Sequence, residues 1–433
     1  MGGQKIPSVK GTRDVLPIDS YRKSDDPWVR TGHFHLVEGA ARELFPLYGY
    51  REARTPILER TDLFTRGIGE VTDIVSKEMY TFDDHGSMVS MRPEGTASLV
   101  RSYVEHAVQA AEADTKWWYL GPMFRRERQQ RGRYRQFTQV GVEAFGSPGP
   151  RIDAEQIEML HRWLTAMGGI PFEMHVNSLG DENCRPAYRT ALQNYLREHL
   201  AELCEDCKVR VETNPIRVLD CKKENDQKIA AGAPPMQYCE PCTVHFDGLR
   251  RTLDALSVPY QIDKKLVRGL DYYTRTTFEA IATSGLGSQS TVAGGGRYDG
   301  LVRELGGGDV PGVGFAAGIE RLALLVAQAG LEKTAKPAVF IAVMGADEEV
   351  KADSLAQSLR AAGLGAEVSF RRSAVGNQLK RADALGARFA LVLGESELRT
   401  GRARLKELAT GAQHEVDLGS LVAEVRRLSA AQP

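Results

Sequence analysis

The 433-residue chain contains no apolar run that approaches the length of a membrane-spanning helix, which argues against a helical membrane protein. Its opening, MGGQKIPSVKGTRDVLP, lacks the apolar core of a secretory signal. Excess charge is missing as well: Lys+Arg 56 against Asp+Glu 57 leaves a formal net charge of −1. No global field draws such a protein to nucleic acid or to a lipid surface, so any polyanion must be met by local patches. Cysteine is scarce, and all six lie between Cys184 and Cys242, one local feature rather than the disulfide framework of a secreted fold. The expectation is a soluble, cytoplasmic protein with no membrane partner, divided into roughly two to four domains.

What the chain does have is a dense cationic segment, GPMFRRERQQRGRYRQFTQVGVEAFG, from Gly121 to Gly146. Arg125, Arg126, Arg128, Arg131, Arg133 and Arg135 crowd around one acid, Glu127, and repel one another unless something anionic sits among them. The run that follows alternates, with Phe137, Gln139, Gly141, Glu143 and Phe145 on one face and Thr138, Val140, Val142 and Ala144 on the other. Gln139 and Glu143 are then roughly 13 Å apart along the strand, with a side-chain-free glycine between them leaving room for a small polar ligand. A surface hairpin with a solvated basic turn fits the same residues, and this stretch alone leaves both readings open.

The rest of the chain supplies a frame. Residues 33–48 have the apolar spacing of an amphipathic helix, which leads into YREARTPILE, a short strand whose Pro56 places it at a sheet edge or a subunit interface. A hairpin around 83–86 delivers RPEGT at 92–96, where Glu94 sits on a stiff turn and Thr96 stands at the start of a helix; a capping role serves either residue equally well. Further along come a helix over 154–167, a strand over 172–177 and a second strand pattern at 265–280 containing Arg268 beside Gly269. A glycine-rich turn at 294–300 is expected to present Arg297 and Tyr298, and a strand through Gly318 enters a helix that carries Arg321 in its first turn. The pattern predicts an α+β domain built on a largely antiparallel sheet flanked by helices, over 1–177 and 259–334. Residues 178–258 read as a mostly helical insertion, in which Cys204, Cys207, Cys239 and Cys242 have the spacing of a four-thiolate structural zinc site, with Cys221 a spare ligand; reduced, unliganded cysteines are the other reading. Residues 335–433 alternate strand and helix as a small α/β domain with a mainly parallel sheet.

Three separated arginines, 125, 268 and 321, fit one phosphate-rich ligand. The motifs around them also resemble a known family. FRRE at 124–127 with its loop and strand is similar to motif 2 of class II aminoacyl-tRNA synthetases, GIER at 318–321 to motif 3, and the helix ending in the Pro56 strand to motif 1. LVRGLDYY at 266–273 and GGRYDG at 295–300 resemble the two signatures of the histidyl-tRNA synthetase family, and KGTRDVLP at 10–17 and GNQLKRAD at 376–383 agree with it.

The resemblance implies histidine activation by ATP and magnesium, followed by transfer of the acyl group to the terminal ribose of tRNA(His). By that resemblance Arg125 meets the α-phosphate of ATP, Arg321 and Arg133 the γ-phosphate, and Glu127 the adenine end. Glu94, Thr96 and Gln139 would hold the α-amino group of histidine. Glu143, Tyr273 and Tyr298 would surround the imidazole, and Arg268 would act catalytically where charge develops. The 335–433 domain would read the anticodon, and motif 1 would form a homodimer interface. The cysteine pairs lie outside the common family pattern. The family's regulatory paralogues usually lack the C-terminal domain and often lose the signature arginines, whereas this chain has both. A tRNA-sensing module without catalysis should have lost its ATP-contacting arginines, and Arg125, Arg268 and Arg321 are all present.

Overall fold

A computed structural model describes residues 5–17, 30–68, 72, 74–128, 130, 132–267, 272–286 and 290–430. The chain divides into two compact units, Met1–Lys333 and Thr334–Pro433. The first is built on strands β1 (Arg51–Glu52), β2 (Thr115–Phe124), β3 (Gln136–Phe145), β4 (Phe172–Ser178), β5 (Gln261–Ile262), β6 (Thr274–Ala282), β7 (Thr291–Arg297) and β8 (Gly312–Gly318). They form one sheet in the order β1-β2-β3-β8-β7-β6-β4-β5, antiparallel throughout except at the two short edge strands.

The period-2 pattern of β3 decides which face does what. Val140, Val142 and Ala144 are buried in the main core, packed with α1 (Thr31–Leu44). Gln139, Glu143 and Phe145 stand on the other face, toward α2 (Thr96–Glu105) and the cavity below it. Helix α3 (Pro150–Ala166) completes the core, where the rings of Phe45, Trp118, Trp163 and Phe315 pack with centroids 5.5 to 6.5 Å apart. Edge-on and offset aromatic packing of this kind adds about 1 kcal/mol per pair beyond area burial.

The stretch between β4 and β5 is helical: α4 (Arg185–Glu198), α5 (Glu205–Thr213), α6 (Glu224–Ala231) and α7 (Glu240–Ala255). Its last helix is not an appendage, because Leu249 and Leu253 of α7 and the following Val258 are buried in the same core as the sheet. Helix α8 (Ile319–Gln328) follows β8 directly and buries Leu322, Leu325 and Val326 beside α1.

Two local expectations change. The run around Pro56 is not one strand: Arg51–Glu52 pairs parallel at the edge of the large sheet, while Leu58–Arg60 joins a separate three-stranded sheet with the hairpin Tyr80–Asp84 and Ser87–Met91. Pro56, unable to donate to a ladder, falls between the two. The glycines at 294–296 do not form a turn either. They are the middle of β7, where close neighbours forbid a side chain: a Cβ on Gly295 would stand 2.6 Å from that of Phe315.

The second unit has strands β9 (Val339–Val343), β10 (Ala366–Val368), β11 (Phe389–Leu393), β12 (Arg402–Glu407) and β13 (Gln413–Asp417) in the order β10-β9-β11-β12-β13. The first three are parallel and the last two antiparallel, with α9 (Ala346–Ala361), α10 (Val375–Ala384) and α11 (Leu421–Ala430) completing the unit. Of the cationic residues near its surface, Arg372 pairs with Glu349 and Arg381 with Glu367, as a solvated mixed-charge face requires.

Candidate active site

The floor of the site is a trough cut by missing side chains. Glu143 on β3 is in register with Gly314 on β8, which is in register with Gly296 on β7; Gly141 lies opposite Ala316 and then Gly294; Gln139 lies opposite Gly318. Side chains stand perpendicular to a sheet, so a patch of Gly and Ala leaves a hollow between the long polar residues that border it. The cavity above it has a volume of about 790 Å³, within the usual range for small-molecule sites. It collects Glu94, Thr96, Arg125, Glu127, Arg133, Gln139, Glu143, Tyr273, Tyr298 and Arg321, ten of the eleven side chains singled out from sequence. The eleventh, Arg268, lies outside the described residues, although its neighbours Val267 and Tyr272 line the same cavity.

One end of the cavity is acidic and buried. Glu143 is 1% exposed and Glu94 3%. The Glu143 carboxylate accepts a 2.6 Å hydrogen bond from the Thr96 hydroxyl and another from the phenol of Tyr298. Burial pushes its pKa up to about 8 against these two donors, and the nearby charge of Glu94 pushes the same way. Glu94 is also raised by burial, but accepts from the backbone N–H groups of Thr96 and Ala97 at 2.7 and 2.9 Å. It therefore caps the first turn of α2 while facing the cavity.

The space over Gly141 is not empty. Tyr119 of β2 lies across it: a Cβ at Gly141 or at Gly95 would run into its ring. Its hydroxyl donates to Gln139 Oε1 at 2.9 Å, and Gly95 N–H donates to the same oxygen at 3.1 Å. Sequence reasoning missed this residue. The signal was the alternation of Trp117, Tyr119 and Gly121, which places Tyr119 on the cavity face of β2.

The other end is cationic. Arg125 donates to Pro93 O at 2.9 Å and lies 5.2 Å from the centre of the Phe137 ring, which holds its guanidinium at the cavity wall. Arg133 pairs with Glu127 at 3.0 Å. Arg321, in the first turn of α8, donates to Thr291 O, and Gly132 of the basic loop lies against its stem. Burial lowers the Arg321 pKa to about 10, and the charges of Arg133 and Arg125 add to the effect, with Glu127 opposing. Guanidiniums whose charges act on one another, at a helix N-terminus whose dipole is also positive, suit an anion.

Two expectations need correction, and one contact was not foreseen. Arg297 is not presented to the cavity: it is 0% exposed and donates to Asp153, Asp299 and the carbonyls of Ser147 and Gly149. Alternation along β7 turns it to the side opposite Gly296, while Tyr298, one residue on, faces the cavity. The four cysteines of the pairs do not form one centre. Cys204 and Cys207 lie with Cys221 and Asp226, and Cys239 and Cys242 with Cys184 and Asp181, because the pairs open two different helices, α5 and α7. The insertion also reaches the cavity, through Leu219 to Lys222 and Gln227, which nothing in its composition announced.

An antiparallel sheet with a glycine-floored cavity, an arginine just past the end of β2 and another in the first turn of the helix that follows β8 is the catalytic architecture of a class II aminoacyl-tRNA synthetase. A family model described as histidyl-tRNA synthetase matches residues 30–322, and one described as an anticodon binding domain matches residues 338–428. The chain is 49% identical over 425 residues to the histidine–tRNA ligase of Anaeromyxobacter sp. (strain K), covering 97% of this chain and 99% of that one. It is 47% identical over 414 residues to that of Geobacter metallireducens, covering 95% and 97%. Among solved structures, apo histidyl-tRNA synthetase of S. aureus is similar with a TM-score of 0.78 at 35% identity, covering 97% of this chain and 100% of that one. The chain belongs to the histidyl-tRNA synthetase family.

Proposed function

We infer that the protein is a histidine–tRNA ligase: it activates L-histidine with ATP to histidyl-adenylate and transfers the histidyl group to the 3′-terminal ribose of tRNA(His), releasing AMP and pyrophosphate. The observation that carries this reading is the polarity of one cavity, with two buried carboxylates at one end and Arg125, Arg133 and Arg321 at the other. Histidine has an ammonium and a ring able to donate protons for the first end. ATP has phosphates for the second.

In this reading Glu94 and Thr96 hold the α-ammonium, with Gln139 fixed in place by Tyr119 and Gly95. Glu143, held by Thr96 and Tyr298, accepts from the imidazole, and Tyr273 closes around the ring. A site with buried polar groups of this kind rejects apolar amino acids, because they would leave those groups unpaired, a discrimination that reaches about 10⁴ or more. Arg125 takes the α-phosphate, Glu127 the adenine end, and Arg133 and Arg321 the γ-phosphate. Arg268 is proposed to meet the charge that develops at the α-phosphate.

The carboxylate of Glu279 in the wall would suit a magnesium ion arriving with the nucleotide, since magnesium takes carboxylate, phosphate and water oxygens. When bound it supplies neutralisation of phosphate charge. The chain's own residues align the histidine carboxylate with the α-phosphorus, where alignment and charge matter more than a protein base. The Thr334–Pro433 unit is proposed to read the anticodon, the insertion is proposed as a third division of the chain over 178–258, and the enzyme is proposed to act as a cytoplasmic homodimer. No described helix is long and apolar enough to cross a membrane.

Exchange of labelled pyrophosphate into ATP tests the reading. It should depend on histidine and fail with other amino acids. Folded protein that shows no histidine-dependent exchange would refute it.

A further inference from the structure

The six cysteines are distributed three and three. Each trio comes together with one aspartate, and no cysteine of the chain is left over. In the first cluster Cys184, Cys239 and Cys242 surround Asp181; in the second Cys204, Cys207 and Cys221 surround Asp226, with every ligand atom within 4.8 Å of the others in its cluster. We propose that these are two separate tetrahedral zinc sites of three thiolates and one carboxylate each.

The spacing carries the argument. Zinc bonds of about 2.3 Å to sulfur and about 2.0 Å to oxygen put tetrahedral ligands about 3.8 Å apart for two sulfurs and about 3.5 Å apart for sulfur and oxygen. Cys184 Sγ and Cys242 Sγ are 3.9 Å apart, and Cys204 Sγ and Cys221 Sγ 4.0 Å. Asp181 Oδ1 stands 3.5 Å from Cys239 Sγ and 3.6 Å from Cys184 Sγ. These distances are about twice a disulfide bond, so the sulfurs are arranged around a point rather than paired.

The same local device builds both sites. In each pair the first cysteine is the N-cap of a helix and the second is its third residue: Cys204 and Cys207 on α5, Cys239 and Cys242 on α7. Cys184 caps α4. Free N–H groups and the helix dipole favour thiolates at these positions.

A buried carboxylate among sulfurs needs a cation. Asp226 is 1% exposed; its oxygens meet the Cys204 backbone N–H and the Cys221 thiol, and among the described residues no Lys or Arg pairs with it. Asp181 offers Oδ1 to the sulfurs while Oδ2 accepts from Arg275 at 3.2 Å, the outer contact that orients a ligating carboxylate.

The positions say what the ions would do. The first cluster joins the chain just after β4 to the start of α7, clasping both ends of the insertion, and Arg275 ties that clasp to β6 two residues after Tyr273. The second fastens α5 to the Cys221 loop, which forms part of the cavity wall.

Metal analysis of the full chain, purified without a metal-affinity column, should find two zinc ions per chain, with all six thiols slow to react with a disulfide reagent until a chelator is added. One zinc or none in folded protein, or six thiols that react at once, would overturn the proposal. The paired variant Cys204→Ser, Cys207→Ser should retain one zinc, and so should Cys239→Ser, Cys242→Ser. If either loses both ions, the four cysteines share one centre and the two-site assignment fails. Should a variant not fold, the stoichiometry and thiol protection of the unaltered protein still decide the matter.

Discussion

The two ends of the cavity face the same problem with different means of relief. At one end Glu94 and Glu143 are buried near each other; at the other Arg321 is buried near Arg125 and Arg133. Without a ligand each end holds like charges that burial and mutual repulsion make costly. A carboxylate escapes by taking a proton, as the raised pKa of Glu143 records, whereas a guanidinium stays charged even at a pKa of about 10. The acidic end is therefore adjustable by pH near neutrality. The basic end is permanently an anion site, screened only by salt or filled by phosphate.

That contrast can be broken most severely at Arg321. Arg321→Ala should lower histidine-dependent pyrophosphate exchange by about 10²- to 10³-fold while leaving histidine affinity within a few-fold, since removing one preorganised charge-stabilising donor costs that much. Calorimetric histidine binding alongside the exchange assay checks it, and equal losses in both would merge the two ends into one.

Glu143→Gln addresses the opposite end. It should raise KM for histidine by about 100-fold with little change in KM for ATP, because a charge-assisted acceptor for the ring is lost. The variant should also be more stable than the parent at pH 8. With its folded pKa raised to about 8, Glu143 holds its proton more tightly folded than unfolded, so its contribution is complete below the ordinary carboxylate range and is lost as pH rises towards 8. The gain at pH 8 should be on the order of 4 kcal/mol and nearly vanish at pH 4, as read from thermal melts at both values.

A smaller change tests the trough itself. Gly314→Ala places a methyl group against the Glu143 carboxylate and should cost about 1–3 kcal/mol of stability, felt in histidine binding before ATP binding. The smallest effect expected is that of Tyr119→Phe, which removes one donor from Gln139 Oε1; a loss of about 1 kcal/mol, or roughly a five-fold rise in KM for histidine, follows. An unchanged KM would make Tyr119 packing alone.

Much of the site was legible because its logic is local. The alternation of β3 alone places Gln139 and Glu143 on one face, and Gly318 followed by Arg321 marks a helix start with a cation in its first turn. The three-dimensional partners were not legible. Nothing near Gly141 in sequence says that Tyr119, from the neighbouring strand, covers it. The glycines before Arg297 read as a turn because local propensity cannot see that β6 and β8 flank them on both sides. The last two strands of the second unit, β12 and β13, also stood outside the alternating strand and helix pattern.

Sequence by itself determined the strand and helix periods, the arginine motifs and, through them, the family, since each is written in residues a few positions apart. Tertiary structure alone decided which side chains share the cavity and how the cysteines divide. Spacing in the chain predicted one centre from two Cys-x-x-Cys pairs, but each pair opens its own helix, and helices are rigid enough that the nearer partner is whichever loop the fold brings to that end. Cys184, Cys221 and two aspartates were brought there by packing, which no count of intervening residues encodes.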